Sequence, residues 1–245
     1  MRIVVNEKYV ARRAFIGRYA SLAGLGVLLA AFIFSFTQTD SPLLMQGWLM
    51  GALLVGVLLS FVGGYYAERF SGPVAHHVGV RNALKGLDNR YTLLQYVLPV
   101  PHVLLGPDGL TVFVVRSQPG EISYKDGKWH HRQRAKFLRQ LAGQEGLGLP
   151  EADVGRQVAR MTRYLEKRLP DVDVPVQGVV LFINPDTRLN VEDPPVPVFY
   201  GKKVKSWLRG PGARKALPAE VRRRLGEALV GGREQGAGSK KRGGG

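Results

Sequence analysis

The chain has 245 residues, no cysteine, and 35 Lys and Arg against 19 Asp and Glu, a formal net charge of +16. Without cysteine, disulfides and thiolate metal sites are excluded. The charge is uneven. Residues 1–18 carry 5 basic residues against 1 acidic, residues 68–201 carry 17 against 14, and Lys202 to the end carries 13 against 3. A uniformly basic nucleic-acid-binding domain is therefore not what the composition describes.

From Tyr19 to Thr39 there is no charged residue, Asp40 interrupts, and Ser41 to Ala67 is again uncharged. A bilayer core of ~30 Å needs about 20 apolar residues of helix to cross it. Lipid also demands that a spanning segment satisfy its own backbone, which a helix does. The two runs are expected to form a transmembrane helical hairpin over 19–67, with spans at about 19–39 and 43–66. Lys8, Arg12, Arg13 and Arg18 precede the first span, and Arg69, Arg81 and Lys85 follow the second. The link from Gln38 to Pro42 has neither Lys nor Arg. Basic flanks stay cytoplasmic, so an integral membrane protein with two spans and both termini in the cytoplasm is expected. A secretory signal peptide would need a small-residue cleavage site after the first run; none follows, and a second run begins at once. Trp48, Tyr65 and Tyr66 suit the membrane interface. Gly24, Gly26, Gly47, Gly51 and Gly56 are expected to let the two helices approach, with Gly47 and Gly51 four apart as a small-residue packing signal.

Ser71-Gly72-Pro73 breaks the second helix. A short helix is expected over Val74 to Leu87, then strands over Tyr91 to Val100 and His102 to Leu105. Gly106-Pro107-Asp108-Gly109 is a turn. Leu110 to Arg116 is almost continuously apolar, the pattern of a strand covered on both faces. Glu121 to Tyr124 and Lys128 to His131 flank Asp126-Gly127, a two-residue hairpin signal. A helix over Gln133 to Ala142 and a Gly-rich loop follow. Val154, Val158, Met161, Leu165 and Leu169 make one apolar stripe of a helix from Asp153 to Leu169. Val174 to Ile183 predicts a buried strand, Val196 to Tyr200 an edge strand crowded by prolines, and Pro218 starts a last helix carrying Leu217, Val221, Leu225 and Leu229. Residues 231–245 are Gly-rich and basic, expected to be a disordered tail. The fold class is α/β (or α+β): a mixed central sheet flanked by helices behind the hairpin.

The segment Val100 to Ile122 reads Val-Pro-His-Val-Leu-Leu-Gly-Pro-Asp-Gly-Leu-Thr-Val-Phe-Val-Val-Arg-Ser-Gln-Pro-Gly-Glu-Ile. It resembles the nuclease-related domain called NERD, which shows an apolar-Asp-His run, a Gly-Pro-x-Gly turn and an apolar strand ending Glu-x-Lys before a Gly. The likeness covers roughly Val74 to Leu208, within a cytoplasmic domain expected over 68–230. It implies a restriction-endonuclease-like sandwich in which an Asp and a Glu hold Mg²⁺ and a Lys orients water. Here the motif is degenerate. Pro101 replaces the Asp before His102, Val114 stands for the Glu and Arg116 for the Lys. Proline and valine offer no side-chain oxygen, and arginine stays protonated and is a poor base. Gly79 is followed by Val80, Arg81 and Asn82, where the family places a Glu.

The resemblance therefore implies a non-catalytic binding or scaffolding module on the cytoplasmic face, with neither metal nor cofactor. The partners are the bilayer itself, with nucleic acid or anionic lipid headgroups as the anionic partner, and a protein partner for the hairpin. Arg116, Lys202, Lys203, Lys205, Arg222, Arg223 and Arg224 are the candidate phosphate or lipid contacts. Two alternatives stay open: a metal-dependent nuclease with ligands displaced to Asp108 or Glu121, and a purely structural assembly module. His76-His77 and His130-His131 are adjacent pairs whose side chains diverge, poor geometry for a shared metal. Gly210-Pro211-Gly212 with Arg214-Lys215 lacks the spacing and the Ser or Thr of a Walker loop. Trp129 and Trp207 suit a small core better than base stacking.

Overall fold

The computed structural model describes residues 1–36, 42–72, 74–133 and 146–230. The link around residue 40, most of the helix expected over Gln133 to Ala142, and the tail from 231 lie outside them. Two long apolar helices run antiparallel at the start: α1 (Glu7–Phe34) and α2 (Pro42–Phe70). At 1.5 Å per residue each is about 42 Å long, and both are apolar and long enough to span a membrane. Their glycines explain the packing. A Cβ on Gly17 would lie 2.9 Å from Ala67 N, one on Gly24 2.9 Å from Gly56 O, and one on Gly63 2.6 Å from Ser21 N. Gly17 and Gly24, like Gly56 and Gly63, are seven apart, so each pair stays on one stripe of its helix. Gly26, Gly47 and Gly51 meet nothing within 4 Å and take no part. Towards its open end the hairpin carries an apolar groove of about 420 Å³ lined by Val27, Ala31, Phe34, Trp48 and Ala52. Gly26, Gly47 and Gly51 thus correct the expectation that they let the two helices approach.

A second correction concerns the first residues. Arg2–Val5 form a strand, β1, and Asn6 alone separates it from α1, whose Tyr9 N–H its side chain accepts. The basic residues from Lys8 to Arg18 are therefore the first turns of α1 itself. Behind the hairpin come α3 (His76–Leu84), β2 (Thr92–Gln95), β3 (His102–Gly106) and β4 (Gly109–Arg116). The hairpin β5 (Gly120–Lys125) and β6 (Lys128–Arg132) follows, then α4 (Pro150–Arg168) and β7 (Val176–Phe182). The chain ends with β8 (Thr187–Val191), β9 (Val198–Tyr200), α5 (Lys203–Arg209) and α6 (Ala219–Val230).

The main sheet has the order β1-β2-β3-β4-β7-β9 and the small one β6-β5-β8. β2, β3 and β4 form an antiparallel meander. β7 then lies parallel to β4, and β9 parallel to β7. Every residue of β4 is buried, as its apolar run requires of a central strand with both faces covered. Alternation along β4 splits the core in two. Phe113 and Val115 pack with Val80, Leu84, Val204 and Leu208 on the α3/α5 face. Leu110 and Val112 pack with Met161, Leu165, Leu225 and Leu229 on the α4/α6 face. At the far end of that face, Val114 joins Ile122, Val154, Val180 and Phe182 beneath the small sheet. Gly178 lets α4 settle there, because a Cβ would meet Val154 Cγ1 at 2.2 Å. The β5–β6 turn takes Asp126 and Gly127 at φ of 50° and 73°, as the hairpin signal requires. The strand expected over Tyr91 to Val100 stops at Gln95, where Tyr96 turns to a φ of 57°.

Candidate functional site

The motif positions divide between the two faces of the main sheet. Val103 pairs with Val112, so one step further His102 faces Phe113 and Pro101 falls opposite Val114. Side chains alternate along a strand. Pro101, Val114 and Arg116 accordingly share the α4 face, and His102 looks the other way, towards α3. Val114 is sealed in the apolar cluster under the small sheet. Arg116 is only 8% exposed and its guanidinium pairs with Asp153 in the first turn of α4, which also holds Arg156. Asp153, the carboxylate that the described residues place beside Arg116, is thus occupied by two cations. Among the described residues no three His, Asp or Glu side chains are grouped to hold a metal. The donors do not fit the divalent ion that a NERD resemblance implies. Asp108 accepts from Arg214 N at 3.0 Å and closes the β3–β4 turn. Glu121 is exposed on β5, opposite Arg132 and Arg188.

On the α3 face lies a buried polar cluster at the foot of the hairpin. Glu68 of α2 accepts from Ser117 Oγ at 2.5 Å, and Ser117 Oγ lies 3.4 Å from His76 Nε2. Gln95 Nε2 donates to the carbonyl of His77 at 2.9 Å. His102 is 3% exposed, its ring against the edge of Tyr96 at 4.9 Å, and neither ring nitrogen has a hydrogen-bond partner among the described residues. Burial, followed by the charges of His77 and Arg69, lowers its pKa to about 3. Burial also holds His76 well below the ordinary value, with His102 and Arg69 adding to it. Both imidazoles are neutral at physiological pH. Nothing in the sequence singles out Ser117 or Gln95; only the fold brings them to the histidines.

Where α2 and α1 meet the sheet, aromatic rings and cations alternate. Arg13 lies over Tyr9 at 4.9 Å and donates to Tyr66 Oη at 2.5 Å, and Arg69 lies over Tyr65 at 4.5 Å. Tyr9, Phe70 and Tyr96 stack beside them. Such residues suit a membrane–water boundary.

A cavity outside the hairpin opens at the carboxyl ends of β7 and β9, the parallel edge of the mixed sheet, a place where ligands commonly sit. It measures about 620 Å³ and is walled by Val74, Gly79, Asn82 and Ala83 on one side and Ile183, Pro185 and Tyr200 on the other, with Lys202 and Lys203 at its mouth. Gly79 fits the close approach of α3, since a Cβ would lie 2.5 Å from Ile183 Cδ1. The basic candidates separate sharply here. Lys202 and Lys203 are exposed and have no carboxylate partner among the described residues. Lys205 Nζ donates to the Lys85 carbonyl at 2.7 Å, and Arg209 to that of Gly86. Arg223 is held between Glu220 and Glu227. Arg222 and Arg224 flank it on α6, whose buried Leu225 and Leu229 pack on the opposite face of the sheet. Charge counting nominated Lys202 and Lys203, but the cleft's walls come from segments some hundred residues apart and have no local signature. Compared with known proteins, the chain matches no family model, no curated protein and no solved structure.

Proposed function

We propose that this chain is a membrane-anchored, non-catalytic module of NERD type, in which a restriction-endonuclease-like sheet serves as a binding surface at the cytoplasmic face of the bilayer. The succession α3-β2-β3-β4-α4-β7, an antiparallel meander followed by a parallel crossover, supports that class of fold. The basic flanks of both apolar helices support the orientation. One observation carries the non-catalytic part. Pro101, Val114 and Arg116 share a face, as metal ligands and a catalytic lysine would, and the place is filled by apolar side chains and a closed ion pair. A phosphodiesterase needs there an open set of oxygen donors around a divalent cation.

The experiment is direct. The full chain, purified in an uncharged detergent, is incubated with single- and double-stranded DNA in Mg²⁺ or Mn²⁺. No metal-dependent cleavage is expected. Cleavage that disappears on Asp153→Ala, Asp108→Ala or Glu121→Ala would refute the non-catalytic assignment. The anchoring is tested by flotation with vesicles of uncharged lipid after alkaline extraction, where the full chain is expected to stay with the lipid.

A further inference from the structure

We infer that the cleft between α3 and the β9–α5 corner binds the phosphate of an anionic glycerophospholipid, drawing the headgroup of a neighbouring lipid onto the sheet. The inference rests on the membrane-anchored reading above and adds a ligand to it. Lys202 and Lys203 are adjacent, exposed and free of any carboxylate partner among the described residues, although the chain pairs or tethers Arg116, Lys205, Arg209 and Arg223. Two neighbouring ammonium groups repel each other unless an anion lies between them. Asn82 also lines the cleft; its side chain has no hydrogen-bond partner among the described residues and can donate to a phosphate oxygen. Behind this polar rim the walls are Val74, Ala83, Ile183, Pro185 and the ring of Tyr200. A cationic rim over an apolar floor is complementary to an amphiphile, and about 620 Å³ is within the range of small-molecule sites, roughly 300–1,000 Å³.

Position selects a lipid over a nucleic acid. Val74 stands four residues beyond Phe70, the last residue of α2. Four residues of chain reach at most about 14 Å, so the cleft opens close to the level of the Arg13–Tyr66 and Arg69–Tyr65 pairs. Duplex DNA, with a charge every ~1.7 Å, rewards a continuous basic track. The next cations along the chain, Lys205 and Arg209, are instead turned into the C-terminal end of α3, and Arg222 to Arg224 lie on the other face.

The test uses the full chain in an uncharged detergent, titrated with short-chain (dioctanoyl) phosphatidylglycerol or phosphatidylcholine. Binding is read by native mass spectrometry. Phosphatidylglycerol is expected to bind at least about 10-fold more tightly, and Lys202→Ala/Lys203→Ala to weaken it by about 10- to 30-fold, the value of two lysines at a charged interface. Arg222→Ala/Arg224→Ala, on the opposite face, leaves it unchanged. Equal affinity for the two lipids, or an unaltered double lysine variant, overturns the inference. So does displacement of the lipid by inorganic phosphate at equal concentration, which would make the ligand a free anion. Tighter binding of a short DNA duplex, lost in the same variant, would reassign the cleft to nucleic acid. Flotation with uncharged vesicles tests the anchoring separately and is unaffected by the lysine substitutions.

Discussion

Acidification should loosen the soluble part through His102. Its imidazole is enclosed by β3, by the Tyr96 ring, and by His76 and His77 of α3, with Arg69 of α2 adding positive charge. An unfolded histidine takes up a proton near pH 6.5; in the fold His102 resists until about 3. A base with a depressed native pKa binds more protons when unfolded, so stability is full above about pH 6.5 and falls as pH drops towards the native value. At about pH 5 the gap is about 1.5 units, which at 1.36 kcal/mol per unit gives about 2 kcal/mol from this side chain. The assay is urea unfolding of the full chain in uncharged detergent at about pH 7.5 and about pH 5. Trp129, packed on Tyr124 and Phe182, and Trp207, packed on Phe199, report on the soluble part. His76 is held below its ordinary value as well, so the informative quantity is the difference between the wild type and His102→Leu. The wild type should lose about 2 kcal/mol more than the variant between the two pH values. Because neither ring nitrogen has a partner among the described residues, the leucine should also raise stability at the higher pH, by about 1–3 kcal/mol. Equal losses in the two proteins would refute the assignment of a buried, neutral imidazole.

Two further predictions use the same unfolding measurements. Gly63→Leu drives a side chain into the backbone of Ser21 and should cost the hairpin about 1–3 kcal/mol, lowering its melting temperature in detergent; Gly51→Leu, which meets nothing within 4 Å, should leave it unchanged. Asp153→Ala strands the Arg116 guanidinium, whose side chain is 10% exposed, and should destabilise by about 3 kcal/mol, while Arg116→Met combined with Asp153→Ala should recover most of the loss.

Several elements were legible because their signals are local. The uncharged runs, the covered strand β4, the Asp126-Gly127 turn, the α4 stripe and the proline-crowded edge strand β9 all arise from neighbouring residues. β1 was missed because its partner β2 lies about ninety residues away and its four residues precede a basic segment that reads as a membrane flank. β8 was missed although Thr187, Leu189 and Val191 alternate with polar residues, because the Asn-Pro-Asp before it reads as a loop. α5 has no capping side chain to announce it. At the candidate site, sequence spacing put Pro101, His102, Val114 and Arg116 in one motif, and only strand register sends His102 to the opposite face. Arg116 could be nominated for phosphate because its neutralising partner, Asp153, stands 37 residues further on.

The single residue between β1 and α1 leaves the soluble part without a swivel. Other tethered domains hang from linkers and sample many attitudes; here a sheet edge continues directly into the apolar hairpin, and a second helix returns to the same sheet through α3. Where that hairpin crosses a bilayer, a change in its tilt, such as one imposed by a thinner or thicker membrane, would reach the sheet edge through Asn6 alone. A thinner or thicker bilayer would then act, through that one residue of chain, on the angle at which the cleft meets its surroundings.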